Sequence, residues 1–156
     1  MIKIVFFATP DIAVPSLEFL ASQEDIECAA IITKIDKPKG RGQKIEPSPV
    51  KVCAVKNNIQ VIQPKLIRTD FDAIEKLKRI QPDFFITFAY GQILSQEILD
   101  IPKYGCINIH ASLLPVLRGA APIQRSIIEG HEKTGVTIMQ MEAGLDTGDM
   151  LSKAEI

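Results

Sequence analysis

The sequence predicts an α/β protein: a doubly wound, Rossmann-like sheet, mostly parallel, with an antiparallel C-terminal strand pair. Three observations carry this. The apolar runs "KIVFFA" (3–8), "IECAAIITK" (26–34) and "DFFITFA" (83–89) are nearly continuous, as expected of parallel strands buried on both faces. Segments of helical character separate them, and strand-helix alternation implies right-handed crossovers. The last strand-like runs, "GVTIMQM" (135–141) and "DMLSKAEI" (149–156), are joined only by the short turn "EAGLDTG", so they should be antiparallel.

The elements between follow in order. Residues 11–22 read as a helix, with Pro15 tolerable only in its first turn. Residues 35–49 read as a loop, since they hold three prolines and two glycines. "PVKVCAVKNN" (49–58) is a helix opened by Pro49, and "IQVI" (59–62) is a short strand. Thr69 is the expected N-cap of a helix to about residue 80, in which Phe71, Ile74, Leu77 and Ile80 recur at helical spacing. A short helix at 95–99 precedes the strand "YGCINIH" (104–110), and "PIQRSIIEG" (122–130) is a helix. No internal repeat or low-complexity segment interrupts the series.

Composition narrows the function. A chain of 156 residues is one domain by length, and 46% apolar with 24% charged residues is ordinary for a soluble globular protein. A net charge of −1 excludes a wholly basic nucleic-acid binder. Cys28, Cys53 and Cys106 are far apart, with no CxxC spacing, which fits free thiols in a reducing cytoplasm. The apolar start meets Thr9, Pro10 and Asp11 too soon for a signal peptide or a membrane span. The first strand-to-helix turn, "FFATPDIA", has no glycine, so the cradle that holds a dinucleotide pyrophosphate is missing. "GRGQK" (40–44) lacks Walker spacing, which argues against ATP as well.

The polar strand carries the chemistry. Asn108 and His110 alternate with Ile107 and Ile109, so both point to one face, roughly 7 Å apart along the strand. They sit at the carboxyl end of a parallel strand, where open α/β sheets bind ligands. A lone histidine there would ordinarily be a satisfied core residue. Here an amide lies beside it, and Asp146 stands in a glycine-rich acidic turn, "GLDTGD". An amide N–H and an imidazole can both stabilise a carbonyl oxygen as it becomes negative, and a carboxylate favours the charged imidazole and helps move protons. That set suits acyl transfer without a covalent nucleophile. Ser112 sits in no GxSxG elbow, which argues against a serine hydrolase. With only two histidines, and His131 in a polar turn, no metal site is expected.

Two blocks, "NIHASLLPVLRGAAPIQ" and "TGVTIMQMEAGLDTGDML", resemble the formyltransferases that use 10-formyltetrahydrofolate. Resemblance extends along the chain through "ATPDIAVPSLEFL", "KPKGRGQKIEPSPVK" and "FAYGQILS", and the basic block and "RGAAPIQ" point to the branch acting on methionyl-tRNA. The resemblance implies the formyltransferase fold, with Asn108, His110 and Asp146 as catalytic trio. It implies that Ser112, Leu113, Leu114 and Pro115 contact the folate. It also implies that Phe88, Tyr90, Gly91, Ile93 and Leu94 wall the pterin pocket, in keeping with an apolar cleft for a flat heterocycle. Where the family usually has glycine, this chain has Ala8. The family's catalytic domain continues further and is followed by a small β-barrel. Residues 1–156 are therefore expected to be a catalytic domain incomplete at its C-terminus, with an open strand edge prone to weak self-association.

Residues 34–51 supply a separate signal. Lys34, Lys37, Lys39, Arg41, Lys44 and Lys51 face two carboxylates, Asp36 and Glu46. Six cations less two anions leave +4 here and −5 on the rest of a chain whose total is −1. A basic loop on an acidic body suits a phosphate backbone, and Arg41, between two glycines, is the expected tRNA contact. The alternatives are a small amine acceptor, such as glycinamide ribonucleotide or an amino sugar, and a non-catalytic RNA-binding remnant. The long basic loop disfavours the former, and folate binding separates the latter.

Overall fold

A computed structural model describes residues 1–39, 41–142 and 147–156. The main sheet begins with β1 (Ile2–Ala8), which pairs in parallel with β2 (Ile26–Ile32) and with β6 (Phe84–Phe88). Outward from β2 lies β5 (Gln60–Ile62), and outward from β6 lies β7 (Cys106–His110), both again parallel. Two strands then reverse direction in turn. β8 (Gly135–Gln140) runs antiparallel to β7, and β9 (Met150–Glu155) antiparallel to β8. The order is β5-β2-β1-β6-β7-β8-β9. The chain winds away from β1 on one side, then returns to start again on the other. The carboxyl ends of β1 and β6 therefore diverge into a crevice.

Each face of the sheet carries its own core because alternate side chains point opposite ways. On one face Val5, Phe7, Phe85 and Cys106 pack with Ile74 and Leu77 of α3 (Phe71–Ile80) and Ile98 of α4 (Gln96–Leu99). On the other, Phe6, Ala8 and Ile31 pack with Leu17 of α1 (Val14–Ala21) and with Val50, Cys53 and Ala54 of α2 (Pro49–Lys56). Ala8 is fully buried here and belongs to this core. α5 (Pro122–Ile128) follows the loop after β7. All three cysteines are free, and burial pushes the Cys28 and Cys106 thiols up to about 12, so they stay protonated at neutral pH. Among the described residues no helix is long and apolar enough to cross a membrane.

Several expectations change. The helix expected at 11–22 is a 3₁₀ turn over Asp11–Ala13 followed by α1, with Pro15 in the first turn of α1. The loop expected at 35–49 contains a hairpin, β3 (Lys37–Lys39) against β4 (Lys44–Glu46). Lys37, Pro38 and Lys44–Glu46 are exposed, so the hairpin shows no apolar alternation and pattern reading passed over it. Asp70, not Thr69, caps α3: its Oδ1 accepts from the Ala73 backbone N–H at 3.0 Å. A carboxylate at that position also suits the positive end of the helix. The register moves with the cap. Phe71 is 74% exposed, and Ala73, Ile74 and Leu77 are the buried residues of the helix.

The hairpin springs from a fastened base. Lys51 Nζ donates to Asp36 Oδ2 at 2.6 Å, while Gln63 Nε2 donates to Asp36 Oδ1 at 2.7 Å and to the Lys34 carbonyl at 2.9 Å. The hydroxyls of Thr33 and Ser48 meet at 2.8 Å, and Ser48 Oγ accepts from the Lys51 N–H to cap α2. The hydrogen bond from Lys51, then that from Gln63, holds the Asp36 carboxyl below the usual carboxylate range.

Candidate active site

A cavity of about 730 Å³ opens at the crevice. One wall is Pro10, Asp11 and Ile12, just past the end of β1. A second is the segment after β6, where Phe88, Ala89, Tyr90, Gly91, Gln92 and Leu94 line the space. Asn108 and His110 of β7 form the polar floor, and Met141 closes one end, one residue past β8. The last wall comes from residues 119–124, the glycine-alanine run and the first turn of α5.

The polar groups of the floor are held. Asn108 is paired with Thr87 across the β6–β7 ladder, so their side chains share a face. Thr87 Oγ1 donates to Asn108 Oδ1 at 2.7 Å. His110 is 6% exposed, and its Nε2 lies 3.0 Å from the Leu117 carbonyl oxygen. A carbonyl can only accept, so Nε2 carries the hydrogen. Any proton the ring exchanges is then exchanged at Nδ1. Leu117 presents that carbonyl from a left-handed conformation, φ 57°.

The "SLLP" segment holds this corner in place. Ser112 Oγ donates to the Val116 carbonyl at 2.7 Å, and the Leu114 N–H donates to Thr137 Oγ1 at 3.0 Å. Thr137 in turn donates to the Ser112 carbonyl at 2.7 Å. None of Ser112, Leu113, Leu114 and Pro115 lines the cavity. Ser112 and Leu114 are buried behind it, so this segment shapes the site through Leu117 and does not wall it.

On the opposite wall Phe88, Tyr90, Gly91 and Leu94 line the cavity as expected, but Ile93 does not, and is 74% exposed. Gln92 ties this wall down. Its Oε1 accepts from the Ile67 N–H at 2.8 Å and its Nε2 donates to the Lys65 carbonyl at 3.2 Å. Gly91 has φ 76°, and a Cβ there would lie 2.4 Å from Lys34 Nζ, so the lysine chain lies directly across this glycine. Tyr90 packs edge-on against Phe7 at 5.4 Å, with its hydroxyl buried and unbonded among the described residues. Burial raises that phenol, so it stays protonated.

Asp146 lies outside the described residues. Its flanks are fastened: the Gln140 N–H donates to the Asp149 carbonyl at 2.8 Å, and Met141 N–H to the Cys106 carbonyl at 2.8 Å. Gly148 sits so close to β8 that a Cβ would fall 1.8 Å from the Gln140 carbonyl oxygen. Arg41 is exposed on the turn between β3 and β4. It does not line the cavity, so the structure brings Asn108 and His110 together and leaves Arg41 apart.

Sequence reasoning missed Thr87, Gln92, Met141 and the 119–124 wall. Thr87 carried the one usable signal, a lone hydroxyl in the buried strand "FFITF". Among the described residues no cluster of histidine, cysteine and carboxylate side chains could hold a metal. The cavity fits a folate-sized donor on its own evidence. Its size lies within the usual range for small-molecule sites, about 300–1,000 Å³, and apolar walls surround a few convergent polar groups.

The formyl transferase family model matches residues 2–156. The chain is 59% identical over 156 residues to the methionyl-tRNA formyltransferase of Clostridium acetobutylicum, covering 100% of this chain and 50% of that protein. It is 58% identical over 155 residues to the one from Clostridium tetani, covering 99% and 49%. The chain thus spans about half the length of the curated relatives it matches. Among solved structures it resembles phosphoribosylglycinamide formyltransferase from Bacillus halodurans, with a TM-score of 0.78, 23% identity, and coverage of 99% of this chain and 79% of that one. It also resembles glycinamide ribonucleotide transformylase 1 from Symbiobacterium toebii, with a TM-score of 0.80, 20% identity, and coverage of 100% and 73%. At those identities the structural likeness establishes the fold. With the family model spanning nearly every residue, the chain belongs to the formyl transferase family.

Proposed function

We propose that this chain carries the formyl-transfer site of an enzyme that moves a formyl group from 10-formyltetrahydrofolate to the amino group of methionyl-tRNA. The observation that carries the reading is the pairing of Asn108 and His110 on one face of β7, at the floor of an apolar-walled cavity. The identity to methionyl-tRNA formyltransferases favours that acceptor, and so does the exposed basic hairpin, which a small amine would not need.

10-Formyltetrahydrofolate supplies an activated formyl group. The acceptor nitrogen bonds to the formyl carbon, and the carbon–N10 bond breaks. One proton leaves the attacking nitrogen and one reaches N10, so tetrahydrofolate departs and no oxidant or metal takes part. Asn108 donates its amide N–H to the formyl oxygen as negative charge builds there. His110 shares that charge and exchanges protons at Nδ1. Asp146 favours the protonated ring and relays the proton onward. Phe88, Tyr90, Gly91 and Leu94 hold the pterin ring and exclude water. Arg41 meets the tRNA phosphates.

Titration with a folate analogue, followed by a formyl-transfer assay with charged initiator tRNA, tests the reading. Saturable binding at the cavity with transfer to the aminoacyl nitrogen is the expected result. Absence of folate binding would remove the enzyme reading and leave an RNA-binding role. Transfer to a small amine but not to methionyl-tRNA would move the acceptor to the alternative class.

A further inference from the structure

The buried strand β6 reads "FFITF", and its single hydroxyl calls for a partner. Thr87 is 5% exposed and lines the cavity between Phe88 and Asn108. Three acceptors lie near Thr87 Oγ1: Asn108 Oδ1 at 2.7 Å, Met141 Sδ at 3.2 Å and the Ile107 carbonyl at 3.4 Å. A hydroxyl has one hydrogen to donate, and the short contact to the amide oxygen is the best of the three. Sulfur is a weak acceptor, and 3.4 Å is long for an O–H donor.

That bond decides which end of Asn108 serves the reaction. A carboxamide is nearly the same shape after a half-turn about its last bond, but the two ends are opposite in kind. One end accepts with lone pairs and the other donates with two hydrogens. With its oxygen engaged by Thr87, the amide of this cavity-lining residue keeps Nδ2, the donating end, for its other contacts. Released, it could turn half-way round and present lone pairs to an oxygen gaining negative charge, where they would repel it.

We infer that Thr87 is a positioning residue of the site: its hydroxyl, bonded to Asn108 Oδ1, orients the carboxamide so that Nδ2 is the group offered to the formyl oxygen. The inference rests on the formyl-transfer reading above. Valine has the branched shape of threonine without the hydroxyl, so Thr87→Val removes the bond while filling the same space in the strand. Serine restores the hydroxyl.

The test uses the full chain with isotopic labelling. The Asn108 side-chain amide resonances are identified as the pair missing in Asn108→Asp. They are then compared in wild type, Thr87→Val and Thr87→Ser. The expected result is one well-resolved pair in wild type and in Thr87→Ser, displaced or broadened in Thr87→Val. In parallel, affinity is measured for a non-transferring folate analogue that keeps the formyl group and for its des-formyl counterpart. Preference for the formyl form should fall about tenfold in Thr87→Val, the effect of one modest hydrogen bond, while des-formyl affinity stays within twofold. Thr87→Ser should restore the preference. If Thr87→Val does not fold, Thr87→Ala makes the same comparison.

Asn108 resonances unmoved in Thr87→Val, or a serine variant that behaves like valine, would overturn the inference. Failure of wild type to bind either analogue would instead remove the folate reading. The amide resonances would still decide what Thr87 does to Asn108.

Discussion

At the floor of the cavity, position matters at the scale of single atoms. Thr87 turns Asn108, the Leu117 carbonyl fixes the proton on His110 Nε2, and Gln92 pins the facing wall to residues 65–67. On the β3–β4 hairpin the organisation is different. Lys37, Arg41, Lys44 and Glu46 are exposed, the strands have three residues each, and the specific bonds lie at the base, around Asp36. A site for chemistry needs donors fixed before charge develops. A surface for a polyanion needs charge that can be spread over a mobile partner. The two regions should therefore respond differently to single substitutions and to salt.

The largest effects belong to the proposed catalytic residues. His110→Ala and Asp146→Ala should each abolish formyl transfer, with little change in thermal unfolding. A variant of either residue that kept wild-type turnover would break the contrast at its strongest point. Asn108→Ala should cost on the order of 10²–10³ in rate, the usual effect of removing one donor to a developing oxyanion. Single-turnover kinetics would separate that loss from a loss of binding.

Effects on the hairpin should be milder and confined to the acceptor. Arg41→Ala should weaken tRNA binding and make its salt dependence shallower, by about one unit of log–log slope if one phosphate contact is lost. Folate affinity should not move. Equal loss of tRNA and folate binding would mean that Arg41 supports the cavity after all.

The smallest effect concerns the hairpin base. Asp36 has its carboxyl held below the usual range, chiefly by the hydrogen bond from Lys51 and then by that from Gln63. A lowered native value stabilises the folded base above the ordinary aspartate pKa, about 3.9, and that contribution is lost as pH falls through the lowered value. Protection of the amides in residues 36–48, measured against their intrinsic exchange rates, should accordingly fall in acid, below the point where an ordinary aspartate has titrated. Asp36→Asn should remove this pH dependence. A hairpin whose exchange has the same pH profile in both proteins would show that the carboxylate does not fasten it.

Legibility in the sequence followed burial. β1, β2, β6 and β7 were readable because both of their faces are covered, and the alternation of Asn108 and His110 stood out against apolar neighbours. The hairpin was not readable, since Lys37, Pro38 and the whole of "KIE" are exposed and leave no apolar pattern. The cap of α3 was misplaced by one residue because Thr69 and Asp70 are both good caps, and the tertiary fit selects between them. Phe71 then fell outside the core although its spacing looked right. Of the site, the strand residues were visible and the walls only in part. Met141 and residues 119–121 come from irregular chain, where periodicity carries no information, and Ile93 faces away from the wall its neighbours form. Thr87 was hidden because threonine is common in strands for its shape alone.

The order in which the walls enter the sequence has a consequence for a chain made from its N-terminus. β1, β2, β5 and β6 form one contiguous block of the sheet from the first 88 residues. The cavity requires later arrivals: Asn108 and His110, then the 119–124 wall, and finally Met141. Thr87 thus leaves the ribosome well before the amide it orients and the sulfur beside it, with its hydroxyl still served by water. Ligand binding to nascent chains arrested at successive lengths should appear only once residue 141 is outside the exit tunnel. A protein laid out this way acquires its stable scaffold before its binding site, with some fifty residues of synthesis between the two.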